Sequence, residues 1–242
     1  MNHPENQGEK PKHDFYMFGY QLSRLALWAM YEQHIEGADN FPLEPSIIVM
    51  NHQKVEDTFL VAKEYTKQTH QKAAVVAQVE YFRGEGIRGK DGIRRFGAPV
   101  KLLVDSIGAI SADRDGDMGA MRQLSTDVTQ TLENGMSVIV HSDSKRAKNG
   151  MVNKFYPTFT RLAVDNNVPL VPVGGHYSET DGLRSKRIDL HIGEPLMPEY
   201  YHSILLRLLP KNRRIDHINN ELEKRVALLA ALEQSHQFAP KD

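Results

Sequence analysis

The chain of 242 residues contains no cysteine and no excess of either charge. Without cysteine there can be no disulfide scaffold, no thiolate zinc site and no cysteine nucleophile. Its 30 Lys and Arg residues are balanced by 31 Asp and Glu residues, for a formal net charge of -1. Proteins that coat nucleic acid normally carry a basic excess, so we expect no nucleic-acid partner. A hydrophobic content of 40% and this length fit one large globular domain or two small ones.

The sequence also lacks an apolar run long enough to cross a bilayer. Residues 15–31 hold 13 apolar residues in 17, but Gln21, Ser23 and Arg24 interrupt them, and a span needs about 20. Helical spacing predicts an amphipathic helix over residues 15–35, which would either pack on the protein's own core or lie on a membrane surface. Residues 1–14 are polar and have no signal-peptide core, so we expect a disordered arm.

Strand and helix patterns alternate through residues 36–242. Short apolar runs predict six strands, over residues 46–50, 73–79, 108–112, 137–140, 170–173 and 187–192. Periodic segments predict helices over residues 56–69, 118–132, 157–166 and 216–232. This order predicts a single α/β domain with a mostly parallel central sheet flanked by helices. No G-x-S-x-G motif is present, which excludes the usual α/β-hydrolase elbow.

The pattern Asn51-His52 followed by Asp57 lies where the first predicted strand ends. Catalytic and ligand-binding groups gather at the carboxyl ends of strands in open α/β sheets. An Asp in the first turn of the next helix can approach one ring nitrogen of His52, which leaves the other nitrogen to act as a base. In the alternative, Asp57 only caps the helix while His52 binds the backbone. The spacing alone leaves both interpretations open.

Three further blocks of sequence accompany this pattern. They are a strand ending in Asp-Arg (GAISADRDG), the segment HSDSKRAKNG over residues 141–150, and V-P-x-x-P-V over residues 168–173. With the N-H-x-x-x-x-D block, their order and spacing resemble those of the glycerolipid acyltransferases of the lysophosphatidate (1-acylglycerol-3-phosphate) type. The resemblance covers about residues 15 to 200. The family's third block is usually F-P-E-G-T-R-S, so here Asp143 stands for Glu, Ser144 for Gly and Lys145 for Thr, while Arg146 keeps its type.

The resemblance implies the roles of the site residues. His52 would be the general base and Asp57 its orienting partner, while Arg114, Asp143, Lys145 and Arg146 would bind the acceptor. It implies transfer of a fatty acyl group from acyl-CoA or acyl-carrier protein to lysophosphatidate or a related phosphate-bearing lipid alcohol. The thioester is already activated, so the reaction requires neither a cofactor, a metal nor an enzyme nucleophile.

Membrane contact follows from the same resemblance, because a product with two acyl chains resides in a bilayer. It favours the membrane-surface interpretation of the helix over residues 15–35. We expect a peripheral or monotopic protein on the cytoplasmic face of the membrane. Two other functions remain open at this point. One is a non-catalytic lipid-binding relative, and the other is an acyl-thioester hydrolase that uses the same His-Asp pair.

Overall fold

A computed structural model describes residues 28–54, 57–83, 87–88, 94–95, 101, 104, 108–113, 117–141, 152–180 and 186–236. The strands are β1 (Glu32–Glu36), β2 (Ile47–Met50), β3 (Ala73–Gln78), β4 (Ile87–Arg88), β5 (Arg94–Arg95), β6 (Ile110–Ala112), β7 (Ser137–His141), β8 (Leu170–Glu179) and β9 (Lys186–Ile192). The helices are α1 (Asp57–Thr69), α2 (Val79–Phe82), α3 (Met118–Glu133), α4 (Thr158–Asn166), α5 (Pro198–Tyr201), α6 (Ile204–Arg207) and α7 (Lys211–His236).

Seven of the strands form one sheet in the order β1-β9-β8-β2-β7-β3-β6. Every neighbouring pair in it is parallel except β8 and β9, which are antiparallel. Strands β4 and β5 form a separate antiparallel pair. The four residues of β2 are all apolar and completely buried, as expected for a central parallel strand that is covered on both faces. The predicted α/β fold with a mostly parallel sheet is confirmed.

Helices cover both faces of the sheet. Alternate residues of β2 point to opposite faces, so Ile47 and Val49 join one hydrophobic cluster while Ile48 and Met50 join the other. Helices α3, α4 and α7 supply the first cluster, and α1 supplies the second. The predicted apolar face of the last helix is confirmed at Ile218, Leu222 and Val226, which are fully buried. The sheet therefore sits between two apolar layers.

Helix α7 lies directly against β8 at Gly174. A Cβ atom added at Gly174 would collide with the backbone of Leu229 and Ala230, and its distance to the Leu229 carbonyl carbon would be only 2.5 Å. At Gly175 an added Cβ would meet nothing closer than 3.7 Å, an ordinary contact. Gly174 is required for the close approach of the helix to the strand, whereas Gly175 is not.

The predicted helix over residues 15–35 is wrong at its carboxyl end. Residues 28–30 are helical, but Glu32–Glu36 forms β1, an edge strand that pairs with β9. Tyr31 is buried in the core with 2% exposure, whereas Trp28 is 60% and Met30 54% exposed. Residues 1–27 lie outside the described residues. In the part of the chain that the structure describes, no helix combines the length and the apolar character needed to cross a bilayer.

Candidate functional site

The carboxyl end of β2 places Asn51 and His52 at the centre of the sheet. Met50, the last residue of β2, pairs with His141 on one side and with Val173 on the other. The buried Asn51 amide then bonds to the backbone of Gly175 twice, since its Nδ2 donates to the carbonyl oxygen at 3.0 Å and its Oδ1 accepts from the amide at 2.8 Å. These two hydrogen bonds fix the direction in which the chain leaves the strand, and so the position of His52.

Asp57 opens α1 and its carboxylate holds the loop before the helix. Its Oδ2 accepts hydrogen bonds from the backbone N–H groups of Gln53, at 2.8 Å, and Lys54, at 2.7 Å. Its Oδ1 accepts a hydrogen bond from the hydroxyl of Tyr177 in β8. The carboxylate thus organises the residues that precede the helix, in addition to lying beside His52.

His52 and Asp57 lie together, as the first sequence block predicts. The Nδ1 atom of His52 is 3.8 Å from Oδ2 of Asp57, which is longer than a hydrogen bond and within the range of an ion pair when the ring is protonated. The His52 side chain keeps 19% of its surface exposed, against 2% for Asp57. A reactant can therefore reach the imidazole while the carboxylate behind it stays shielded from water.

The Asp57 carboxyl is held in its charged form. Burial alone would raise its pKa, but contacts with His52, the nearby His141 and the donors on Lys54 and Tyr177 outweigh that effect. The net result is a pKa below the usual value for an aspartate. A negative charge on Asp57 therefore faces His52 at neutral pH.

Aromatic rings form one wall beside this pair. Tyr177 packs edge-on against Tyr31 with ring centroids 5.6 Å apart. The ammonium group of Lys54 lies 3.5 Å from the Tyr177 ring centroid and 5.0 Å from that of Tyr31. The ammonium group is attracted to both rings, which restricts the Lys54 side chain.

His141 is a site residue that the sequence analysis missed. Its ring lies against that of His52, with centroids 4.1 Å apart, and its Nε2 is 2.8 Å from the hydroxyl of Thr58. Burial, together with the nearby His52, lowers the pKa of His141 to about 3, so this ring is neutral at working pH. Its position directly after the predicted strand 137–140 was the available signal, because the ends of neighbouring parallel strands meet at one edge of a sheet.

The structure does not bear on the four predicted acceptor-binding residues. These residues, which lie outside the described ranges, are Arg114, Asp143, Lys145 and Arg146. Within the described ranges, no group of three His, Asp or Glu side chains is arranged to hold a metal ion.

The chain is similar to known proteins in sequence and in fold. Residues 32–175 match a family model described as Acyltransferase. The chain is 24% identical over 156 residues to a 1-acyl-sn-glycerol-3-phosphate acyltransferase of Pseudomonas aeruginosa, an alignment that covers 64% of this chain and 53% of the relative. The chain thus spans about half the length of this curated relative.

A solved structure shares the fold. The crystal structure of PlsC from Thermotoga maritima, a 1-acyl-sn-glycerophosphate (LPA) acyltransferase, matches with a TM-score of 0.59 and 19% sequence identity. The match covers 95% of this chain and 80% of the other. At this identity the likeness concerns the fold alone.

Proposed function

Because the chain belongs to the Acyltransferase family, we propose that it moves a fatty acyl group from acyl-CoA or acyl-carrier protein to a lipid hydroxyl. The acceptor in this proposal is lysophosphatidate or a related phosphate-bearing lipid. The observation that carries the proposal is an accessible His52 beside the buried, charged Asp57 at the carboxyl end of β2. The family-model match confirms the acyltransferase family that the sequence blocks predict.

The proposed reaction needs a base and no enzyme nucleophile. His52 removes the proton from the acceptor hydroxyl while the oxygen attacks the thioester carbonyl, forming the new C–O ester bond. The C–S bond then breaks, and the proton held by His52 passes to the departing thiolate. Asp57 stabilises the imidazolium between these two steps, since its carboxylate faces the Nδ1 side of the ring. Atoms and charge balance without a cofactor or metal.

In this proposal, basic residues of the second and third sequence blocks bind the acceptor's phosphate. Arg114 and Arg146 supply guanidinium groups that can pair with phosphate oxygens, and Lys145 adds a third positive charge. Asp143 stands where the family has a longer acid and so keeps the charge. The relative's name, 1-acyl-sn-glycerol-3-phosphate acyltransferase, supports an acceptor of this class. These four roles are predictions from the sequence blocks.

We also propose that the protein works on the cytoplasmic face of a membrane as a peripheral or monotopic protein. The diacylated product is insoluble in water, so the acceptor and product must enter and leave through lipid. The exposed Trp28 and Met30, which directly precede the buried Tyr31, support a surface contact at the end of the amphipathic segment. Tyr31 packs on Tyr177, which bonds to Asp57, so this contact would lie close to the proposed base.

The test is release of thiol from acyl-CoA with lysophosphatidate, with other lipid alcohols or without acceptor. His52→Ala is compared with His217→Ala, which removes an exposed histidine on α7. We expect acceptor-dependent release that only His52→Ala abolishes. Release without acceptor would instead indicate a thioester hydrolase. Lipid binding without turnover, across CoA and carrier-protein donors, would indicate a non-catalytic relative.

A further inference from the structure

Two imidazole rings lie in contact at the end of the central strands. The ring of His141 is inclined by 33° to that of His52, with 4.1 Å between the centroids. His141 is the last residue of β7 and pairs with Met50, the residue two before His52. Its backbone is therefore fixed by the sheet, whereas His52 lies in the loop that follows β2. The rigid ring is in a position to orient the less constrained one.

His141 also contacts the helix that carries Asp57. Its Nε2 lies 2.8 Å from Oγ1 of Thr58, a side chain that is 6% exposed in the first turn of α1. Which of the two atoms donates depends on the tautomer. Thr58 directly follows Asp57, so this bond joins the end of β7 to the turn that presents the carboxylate. One side chain thereby contacts His52 and also the residue next to Asp57.

We propose that His141 is a positioning residue that sets the geometry of the His52–Asp57 pair, through its ring on one side and its bond to Thr58 on the other. This inference rests on the proposed function, in which His52 is the base. His141 itself is not the base, because its Nε2 is bonded to Thr58 and its lowered pKa makes the ring a poor proton acceptor. The family's block usually has Phe at this position, so the bond to Thr58 is a property of this chain's own third block.

A Phe at this position would supply only half of the arrangement. An aromatic ring could still stack on His52, but it has no nitrogen for Thr58, and the buried hydroxyl would lose this partner. The first turn of α1 would then lose this hydrogen bond to β7. In an active site, small shifts of a base relative to its orienting group cost rate without unfolding the protein.

Four variants separate this role from a merely structural one. His141→Phe keeps a ring but removes the bond, and Thr58→Val removes the same bond from the other side. Thr58→Ser keeps the hydroxyl and serves as the matched control, and the double variant His141→Phe with Thr58→Val tests coupling. We expect the first two each to lower kcat about tenfold with little change in KM. Thr58→Ser should match the wild type, and the double variant should be no worse than the poorer single.

A measurement that does not depend on turnover accompanies the kinetics. The ring carbon resonance of His52 is followed by NMR against pH in each variant, beside the melting temperature. We expect Thr58→Val, but not Thr58→Ser, to change the His52 chemical shift and its titration. If Thr58→Val keeps both the wild-type kcat and the wild-type His52 signal, the proposal is wrong. Loss of all activity in His141→Phe with full activity in Thr58→Val would also overturn it, since His141 would then be acting directly.

The two proposals fail in distinguishable ways. If the wild-type protein transfers no acyl group to any acceptor, the proposed function fails, while the NMR comparison still decides whether His141 positions His52. If transfer occurs and depends on His52 but is indifferent to the Thr58 bond, only the positioning role fails.

Discussion

Replacing Asp57 with Asn tests the electrostatic reasoning most directly, because it removes a charge and keeps the shape. The Asn oxygen can still accept from the backbone amides of Gln53 and Lys54, and its NH₂ group can donate to the Tyr177 oxygen. The imidazolium that forms on His52 would lose a carboxylate 3.8 Å away. At an effective dielectric constant of ~20 this attraction is worth about 4 kcal/mol, so we expect kcat to fall about 10³-fold.

The assay is acceptor-dependent thiol release at saturating donor, beside circular dichroism and thermal unfolding to confirm that the variant is folded. Tyr177→Phe is the control, since it removes one hydrogen bond to Asp57 but leaves the negative charge. We expect that control to lose less than about tenfold, in line with one hydrogen bond. A folded Asp57→Asn protein with kcat within tenfold of the wild type would refute the assigned role of the charge.

Three further outcomes follow from the described contacts. The pKa of His141 is lowered to about 3 in the folded protein against 6.5 unfolded, so its neutral burial stabilises fully above pH 6.5 and is lost as the pH falls. Denaturant titrations at pH 7.5 and 4.5 should therefore show about 3 kcal/mol less acid destabilisation in His141→Phe than in the wild type, and equal losses would contradict this. Gly174→Ala should lower the free energy of unfolding by about 1–3 kcal/mol or more, whereas Gly175→Ala should change it little. Similar melting temperatures of the two variants would count against the close approach of α7. Asn51→Ala should cost about 1–3 kcal/mol because it leaves the buried N–H of Gly175 without its acceptor, while the Gly175 carbonyl keeps the Gln53 amide as a donor. Gln53→Ala should cost under about 1 kcal/mol, and an equal effect of the two variants in chemical unfolding would be evidence against this reasoning.

The apolar pattern predicts most of the sheet, because strands that are buried on both faces consist of continuous apolar residues. Residues 46–50 and 137–140 are examples, and both match observed strands to within a residue. The edge strand β1 is different, since four of the five residues of Glu32–Glu36 are polar and the segment becomes a strand through pairing with β9. Its pairing partner lies about 150 residues away, so no local pattern could separate it from the end of the preceding helix.

The sequence predicts those residues of the candidate site that lie close together along the chain. His52 and Asp57 are five residues apart, and the structure places them in contact. Tyr177 and His141 reach the same point from other strands, 120 residues from Asp57 and 83 residues from Thr58 respectively. Only the strand order, with β2 between β7 and β8, brings these ends together.

The contact between Gly174 and α7 also bears on how the protein folds while it is being made. When synthesis has just passed Ile192, every strand of the sheet exists, but the backbone at Leu229 and Ala230 that covers Gly174 does not. At about 5–20 residues per second, those residues follow some 2–8 seconds later. During that interval one face of β8, the strand that also anchors Asn51 and Asp57, has no cover. A nascent chain at this stage carries an exposed apolar surface beside an unfinished site, and chaperones that bind such surfaces would act on it at that moment.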